Sequence, residues 1–544
     1  YNGFVMQLGI SKSVSKKQKE SALIMRKQTK IAAVVSAAAL LALGASMTSF
    51  AASKGTWMMV DGEWYCYDKN GDAYTNVFCS SNGKEYYVGD DGQLVRSEWV
   101  EYDGNYYFVN SSGAKITNDW RLTTPYDDDS ADEEWYYFKS NGKRAENEKI
   151  TYKGKSYYFD TDGKMLTGWV NTGDGTSAVN EANGYEAGHT FYCDETGARV
   201  EGAWVKDVAP GVDDDDADAD EYWYYLKKAT GKPATGKQSN INGQIYLFNE
   251  EGQMQVGWVA RSDSKTKNFV QLDKEDEEQD MILLSDYADS EVYYCGDEDD
   301  GHAKKNKWVK TWLPSDTNEE EDDKEWFWFD KEGKVFRAGV NTAAETAANA
   351  EKYKLDEGTL VPDDNKVATL IGKKKVNSKD YWFRNDGVML SKFYKINDAM
   401  FYFGGADDGS MKTGAQTVKD NTGDSYKFYF YTKDSYGYAK GAGVIGNQSN
   451  KLYYYGLLLT ADDYKYQVAT LEDQNGQKYD FVINSNGSIQ HSYGTTYKED
   501  GQDLIVVDEV LGKEYKDSEG KKQTGTAKYV EDGQYKYGFK SGVE

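Results

Sequence analysis

What this 544-residue chain has little of narrows it first. Histidine occurs three times, at His189, His302 and His491, far apart in the chain. No His-Glu-x-x-His, Gly-x-Ser-x-Gly or phosphate-cradling glycine loop with lysine is present, so the sequence signatures of zincin, serine-hydrolase and P-loop chemistry are missing. Four Cys over this length do not make a disulfide framework. Positive charge is also short: 64 Lys and Arg stand against 91 Asp and Glu, for a net charge of -27. Nucleic acid is excluded as a partner because its phosphates would be repelled, and docking on bare anionic lipid is disfavoured. Aliphatic residues are few, and the mean hydropathy is -0.80, so a single large aliphatic core is not expected.

What the chain has in excess is glycine and aromatic residues: 54 Gly with only 5 Pro, and 45 Tyr, 20 Phe and 14 Trp. They recur in a fixed order, cleanest from Tyr152 to Val170. There Lys153-Gly154-Lys155 turns the chain, Ser156 to Phe159 is a short aromatic strand, and Asp160-Thr161-Asp162-Gly163 turns it back. Gly168-Trp169-Val170 then opens the next unit. Gly62, Gly83 and Gly104 are 21 residues apart, as are Gly71, Gly92 and Gly113, and the step returns from Gly142 to Gly163 and from Gly231 to Gly252. In Trp135-Tyr136-Tyr137-Phe138 alternate side chains face opposite sides, so one face can pack while the other stays available. A two-stranded hairpin cannot bury its own aromatic face and must stack on its neighbours. The predicted fold is all-β, a β-solenoid of stacked aromatic β-hairpins of about 21 residues each.

A longer order overlies this period. A hairpin with an acidic insertion (Trp120 through Trp135) is followed by a plain hairpin and then by a long-looped one ending at Cys193; the order repeats to Cys295. Cys193 and Cys295 are thus predicted to be equivalent positions, read as small buried side chains. Cys66 and Cys79, in neighbouring hairpins, could pair, with buried free thiols the preferred reading. Residues 1–24 read as an upstream or disordered extension and residues 25–51 as a signal peptide. The signal comprises basic Met25 to Lys30, apolar Ile31 to Leu43 and a small-x-small end at Ser49-Phe50-Ala51. The protein is therefore expected to be exported, with no membrane span in its mature part. Repeats cover 55–339, and 340–380 is an irregular or helical interruption. Residues 341–355 are rich in helix formers there, and Thr342 with Glu345 resembles a capping box. Further hairpins fill 381–460, and 461–544 holds degenerate repeats or a small β cap.

With Gly168-Trp169-Val170, Trp135-Tyr136-Tyr137-Phe138 and Tyr157-Tyr158-Phe159-Asp160-Thr161-Asp162-Gly163 in view, the chain resembles the cell-wall-binding (choline-binding) repeat family. That family is related to the glucan-binding repeats of streptococcal glucosyltransferases and the C-terminal repeats of clostridial toxins. The resemblance implies ligand pockets between successive hairpins, made by the Trp that opens a unit, the first aromatic of its second strand and an aromatic from the next unit. Carried over by position, the opening residues are Trp57, Trp99, Trp120, Trp169, Trp204, Trp258 and Trp308 or Trp312; the strand residues are Trp64, Trp135, Trp223 and Trp326. Tyr137 and Tyr225 are added as pocket residues. Only some units carry both Trp: Trp57 with Trp64, Trp120 with Trp135, Trp204 with Trp223, and Trp312 with Trp326. The implied partners are cell-wall polymers: choline-bearing teichoic acid, a peptidoglycan-associated glycan or glucan. Such a protein would be held on the wall non-covalently.

Electron-rich aromatic faces suit both ligand types, holding a quaternary ammonium by cation–π attraction or stacking on sugar rings. No cofactor is expected. The acidic inserts Asp127–Glu134, Asp213–Glu221 and Asp316–Glu325 could bind Ca²⁺ through clustered oxygens, but none has EF-hand spacing. A carboxylate pair for glycoside hydrolysis is not excluded by counting. However, no stretch of about 150 residues, a usual domain size, is free of repeats. A non-catalytic binding protein is the first reading; a divergent wall hydrolase or a purely structural stalk are the alternatives.

Overall fold

The computed structural model describes residues 55–173, 179–213, 216, 218–261, 268–272, 291–313, 324–339, 350–368, 370–435, 437–461, 465–472 and 478–490, and beyond these the backbone of short strands between 496 and 540. The expected extension at 1–24 and signal peptide at 25–51 lie outside the described residues. Every regular element among the described residues is a β-strand, and none is a helix. The chain divides into two compact units, 1–145 and 146–544.

The first unit holds four antiparallel hairpins: Thr56–Val60 with Glu63–Tyr67, Val77–Ser81 with Lys84–Val88, Glu98–Tyr102 with Asn105–Val109, and Asp119–Thr123 with Glu134–Phe138. The first three close on two-residue turns, Asp61-Gly62, Asn82-Gly83 and Asp103-Gly104, with both residues at positive φ. That is the turn whose twist matches two antiparallel strands, and it explains the regular glycine spacing.

Adjacent hairpins are tied by a recurring main-chain bond. In it, the segment after one hairpin donates an N–H to the second strand of the hairpin before. In the first unit these bonds are Leu94 N–H to Trp64 O (2.9 Å), Lys115 to Glu85 (2.7 Å) and Arg144 to Tyr106 (2.9 Å). The same bond recurs in the second unit from Arg199 to Ser156, Met254 to Trp223, Ala303 to Ile245, Val335 to Val292 and Met389 to Trp326. Pro233, at the equivalent place after Glu221–Leu226, has no N–H to give. The side chain at this linking position also seats the next turn glycine. A Cβ on Gly113, whose φ is +78°, would lie 2.7 Å from Leu94 Cδ1; Gly197 meets Met165 and Gly409 meets Met389 in the same way.

The core is accordingly a series of small clusters, such as Phe108, Tyr136 and Phe138 in the first unit and Ala234, Ile241 and Phe248 in the second. In Glu134–Phe138, Trp135 is exposed whereas Tyr136, Tyr137 and Phe138 are all buried. The expectation of one packed and one free face is thus corrected: stacking uses both faces, and only the residue nearest the hairpin tip stays open. Cys193 and Cys295 are free and buried. Their places correspond, since Cys193 pairs with Gly168 and the Cys295 N–H bonds to Gly257 O. Cys66 and Cys79 are also free, with a thiol–thiol hydrogen bond between them rather than a disulfide.

The expected helix at 341–355 is not formed where it can be seen. Residues 350–355 belong to the strand Ala350–Asp356, and 341–349 lie outside the described residues. This strand pairs on one edge with Thr359–Ala368 and on the other with Phe393–Ile396, which continues to Ala399–Tyr402 as a four-stranded sheet. Two rows of cross-strand bonds outweigh a helix propensity that differs by only tenths of a kcal/mol per residue. The predicted irregular interruption at 340–380 is therefore largely strand, continuing with Ile371–Val376 and the start of Lys379–Arg384. Further on, Gly414–Lys419, Ser425–Phe430, Leu457–Leu458, Lys451–Tyr454 and Gly446–Gln448 form a five-stranded sheet.

Two outcomes test this packing. Gly113→Ala combines a strained φ with a clash against Leu94 and is expected to cost about 2–4 kcal/mol. Gly62→Ala, with positive φ but nothing within 4 Å, should cost about 1 kcal/mol; equal losses by denaturant unfolding would refute the seating of Gly113. Burial pushes the Cys193 thiol up to about 12, so thiol reagents at pH 8 should label it only after denaturation.

Candidate ligand-binding aromatic pockets

Hairpin register builds the pockets. Trp120 lies opposite Tyr137, Trp204 opposite Tyr225, and Trp308 opposite Trp328. The second-strand Trp sits two residues before that partner and hence on the same face, giving Trp135, Trp223 and Trp326.

In the first unit Trp120 meets Trp135 at 6.5 Å with an interplanar angle of 82°, and Tyr137 at 5.0 Å and 62°. Trp135 is 42% exposed. Tyr137 is buried, and its hydroxyl donates to Asn118 Oδ1 at 2.7 Å, so it serves as a fixed wall. In the second unit Trp204 meets Trp223 at 6.3 Å and 87°, and Tyr225 at 5.2 Å and 59°. The next hairpin adds Tyr246 at 4.7 Å and Phe248 at 5.9 Å. Trp204 and Trp223 are half-buried. Each site is thus a corner of two indoles near a right angle, closed by a phenol ring.

The third place departs from the predicted pairing. Trp308, not Trp312, takes the opening position: it contacts Trp328 at 5.2 Å, Tyr381 at 4.8 Å and Phe383 at 5.7 Å. Register decides this, because Lys310 stands opposite Trp326 and Trp312 falls beyond the end of the strand Lys307–Thr311. Trp326 donates its indole N–H to Asp407 Oδ1 (2.9 Å), which also meets Lys310. Both hydrogen bonds hold the Asp407 carboxyl below its ordinary range. A carboxylate thus edges this pocket, 81 residues away in sequence and without a signal there.

Other predicted pocket residues are used for packing. Trp169 and Trp258 are 8% and 2% exposed. Their indole N–H groups donate to Val208 O (2.9 Å) and Trp312 O (2.7 Å). Trp99 does the same to Thr124 O at 2.8 Å, with Arg144 lying over its ring at 5.4 Å. In all three cases the acceptor belongs to the acid-insert hairpin that follows, at or beyond the end of its first strand, where it covers the preceding Trp. Trp57 lies opposite Cys66 rather than a tyrosine and packs on Tyr86 at 5.7 Å, so the corner at Trp57 and Trp64 lacks its phenol wall. The sequence reading missed Tyr246, Phe248, Trp328, Tyr381 and Asp407; the first four carry the signal of alternate positions on the following or same second strand.

Among the described residues no group of three or more His, Cys, Asp or Glu is placed to hold a metal ion. Asp160, in the half-calcium-like turn, accepts the N–H groups of Asp162 (2.9 Å) and Lys164 (2.8 Å), so its carboxylate shapes the turn. No helix among the described residues is long and apolar enough to cross a membrane.

Comparison with known proteins agrees with the repeat. Residues 130–168 match the choline-binding repeat, and residues 97–115 and 374–389 match the putative cell wall binding repeat. The chain is similar to Glucosyltransferase-S of Streptococcus mutans, 30% identical over 200 residues, covering 37% of this chain and 11% of that protein. It is also similar to Glucosyltransferase-I of Streptococcus downei, 26% identical over 447 residues, covering 78% of this chain and 22% of that protein. It therefore spans less than a quarter of the length of either relative. Among solved structures, choline binding protein F of Streptococcus pneumoniae has 16% identity and a TM-score of 0.31, over 70% of this chain and 98% of that one. Repeats of the cell-wall-binding, choline-binding family are thus present in both units of the chain.

Proposed function

We propose that this chain is a secreted, non-catalytic surface protein whose hairpins stack as a β-solenoid. In this reading it binds choline-bearing wall polymer, or another wall glycan, in the pockets at Trp120–Trp135–Tyr137 and Trp204–Trp223–Tyr225. The observation that carries this reading is that two pockets of near-identical ring geometry keep partly exposed indoles, whereas Trp169 and Trp258 are shut. Perpendicular aromatic faces offer a quaternary ammonium two or three negative ring faces, worth about 0.5–2 kcal/mol each. Weak sites repeated along one chain gain avidity on a polymer that presents its ligand repeatedly, which would hold the protein on the wall without a covalent bond.

Isothermal titration with choline, together with co-sedimentation on purified cell walls, tests it. Trp120→Ala and Trp204→Ala should each weaken binding by about 5- to 30-fold at the affected pocket. Full binding by the double variant would overturn the reading. Trp169→Phe, which removes the bond to Val208, should lower stability by about 1 kcal/mol and leave binding unchanged.

A further inference from the structure

The aromatic corner also recurs on the hairpin Glu98–Tyr102 with Asn105–Val109, and there it already holds a cation. Trp99 lies opposite Phe108 as Trp204 lies opposite Tyr225, and Tyr106 stands two residues before Phe108 as Trp223 stands before Tyr225. The next hairpin brings Tyr136 to 4.8 Å and Phe138 to 5.6 Å from Trp99, just as it brings Tyr246 to 4.7 Å and Phe248 to 5.9 Å from Trp204. The two sets of rings thus correspond residue by residue.

What differs is the linking residue. Arg144 donates its main-chain N–H to Tyr106 O, and Met254 donates its own to Trp223 O, so both side chains start from the same point. The Arg144 guanidinium lies over the rings of Tyr106 at 4.3 Å, Trp99 at 5.4 Å and Tyr136 at 5.8 Å, and Arg144 is buried. Met254 brings no charge and packs with Trp204, Tyr225 and Tyr246. Three ring faces around one delocalised cation are the arrangement that would draw a soft cation from solution. A second cation entering it meets the charge of the first. Trp99 and Tyr106 keep part of their surface exposed, so the hairpin that covers the Trp99 N–H does not by itself seal this corner. One hairpin earlier, the Lys115 ammonium likewise lies over Phe78 at 4.9 Å and Tyr107 at 5.3 Å, paired with the Glu85 carboxylate.

We infer that Arg144 is a built-in occupant of the Trp99 corner, and that the linking residue decides whether an aromatic corner, once built, is left for an external quaternary ammonium. The inference rests on the reading that the corners at Trp120 and Trp204 take such a cation. Equilibrium dialysis of the full chain with labelled choline counts the sites. Arg144→Met, which installs the residue type found at the Trp204 corner, is expected to bind one choline more than the parent, and Trp99→Ala in that background to lose it. Arg144→Lys keeps a cation in place and should add none, which separates loss of charge from loosened packing. In a Trp120→Ala background, Met254→Arg should weaken the remaining binding by about 10-fold or more; this second variant carries the test if near-UV circular dichroism shows Arg144→Met to be unfolded. No added site in folded Arg144→Met, an equal gain in Arg144→Lys, or undiminished binding by Met254→Arg would overturn the inference. A parent that binds no choline, beside an Arg144→Met variant that binds one, would overturn the function proposed for the corner pockets and leave this inference standing. Choline bound by neither would overturn both.

Discussion

A pair of five-residue strands cannot shelter its own aromatic side chains, and nearly every feature of this protein answers that constraint. Within each unit, successive hairpins lean on one another through a recurring main-chain bond and a turn glycine seated under a linking side chain, as Gly113 sits against Leu94. Because the joint is made by backbone and by an absent side chain, the residues around it are free to vary. The linking position is Leu94, Lys115, Arg144, Arg199 or Met254. Stability is assembled from many separate hydrophobic clusters spread along the repeats.

The same constraint divides the tryptophans into two kinds. An opening Trp followed by an acid-insert hairpin is covered by the chain at or just past the end of that hairpin's first strand, and its indole N–H finds a carbonyl there, as at Trp169 and Val208. An opening Trp followed by a plain hairpin stays partly open beside the strand Trp of its own unit, as at Trp204 and Trp223. The acid-insert hairpins therefore do two jobs: they shut the pocket before them and carry the open pocket themselves. In the first of them the acidic tip is exposed to solvent at Asp128 and Asp129.

Past residue 350 the unit is modified rather than abandoned. An added hairpin, Ala350–Asp356 with Thr359–Ala368, widens one sheet, and the residue facing Trp382 becomes a lysine. The place of the aromatic corner is thereby taken by a wall of mixed charge. A single register position, read as Trp120, Trp204, Trp308 or Lys373, sets which chemistry the space between hairpins can accept.

The sequence by itself determined the unit: turn glycines at a constant spacing, aromatic strands between them, and the doubled Trp units that proved to be paired at Trp120 and Trp204. These are local patterns, set by φ and by alternation along a strand, and they survive without knowledge of neighbours. Only the tertiary structure decided which Trp is open, because that depends on whether a carbonyl at or past the end of the next hairpin's first strand reaches its indole N–H. It decided that Trp308 and not Trp312 takes the opening place, since this is a matter of cross-strand register. It also turned the helix-prone stretch at 350–355 into a strand, because pairing on two edges outweighs a weak local preference. Asp407 beside Trp326, brought from 81 residues away, belongs to the same class: long-range contacts carry no local signature.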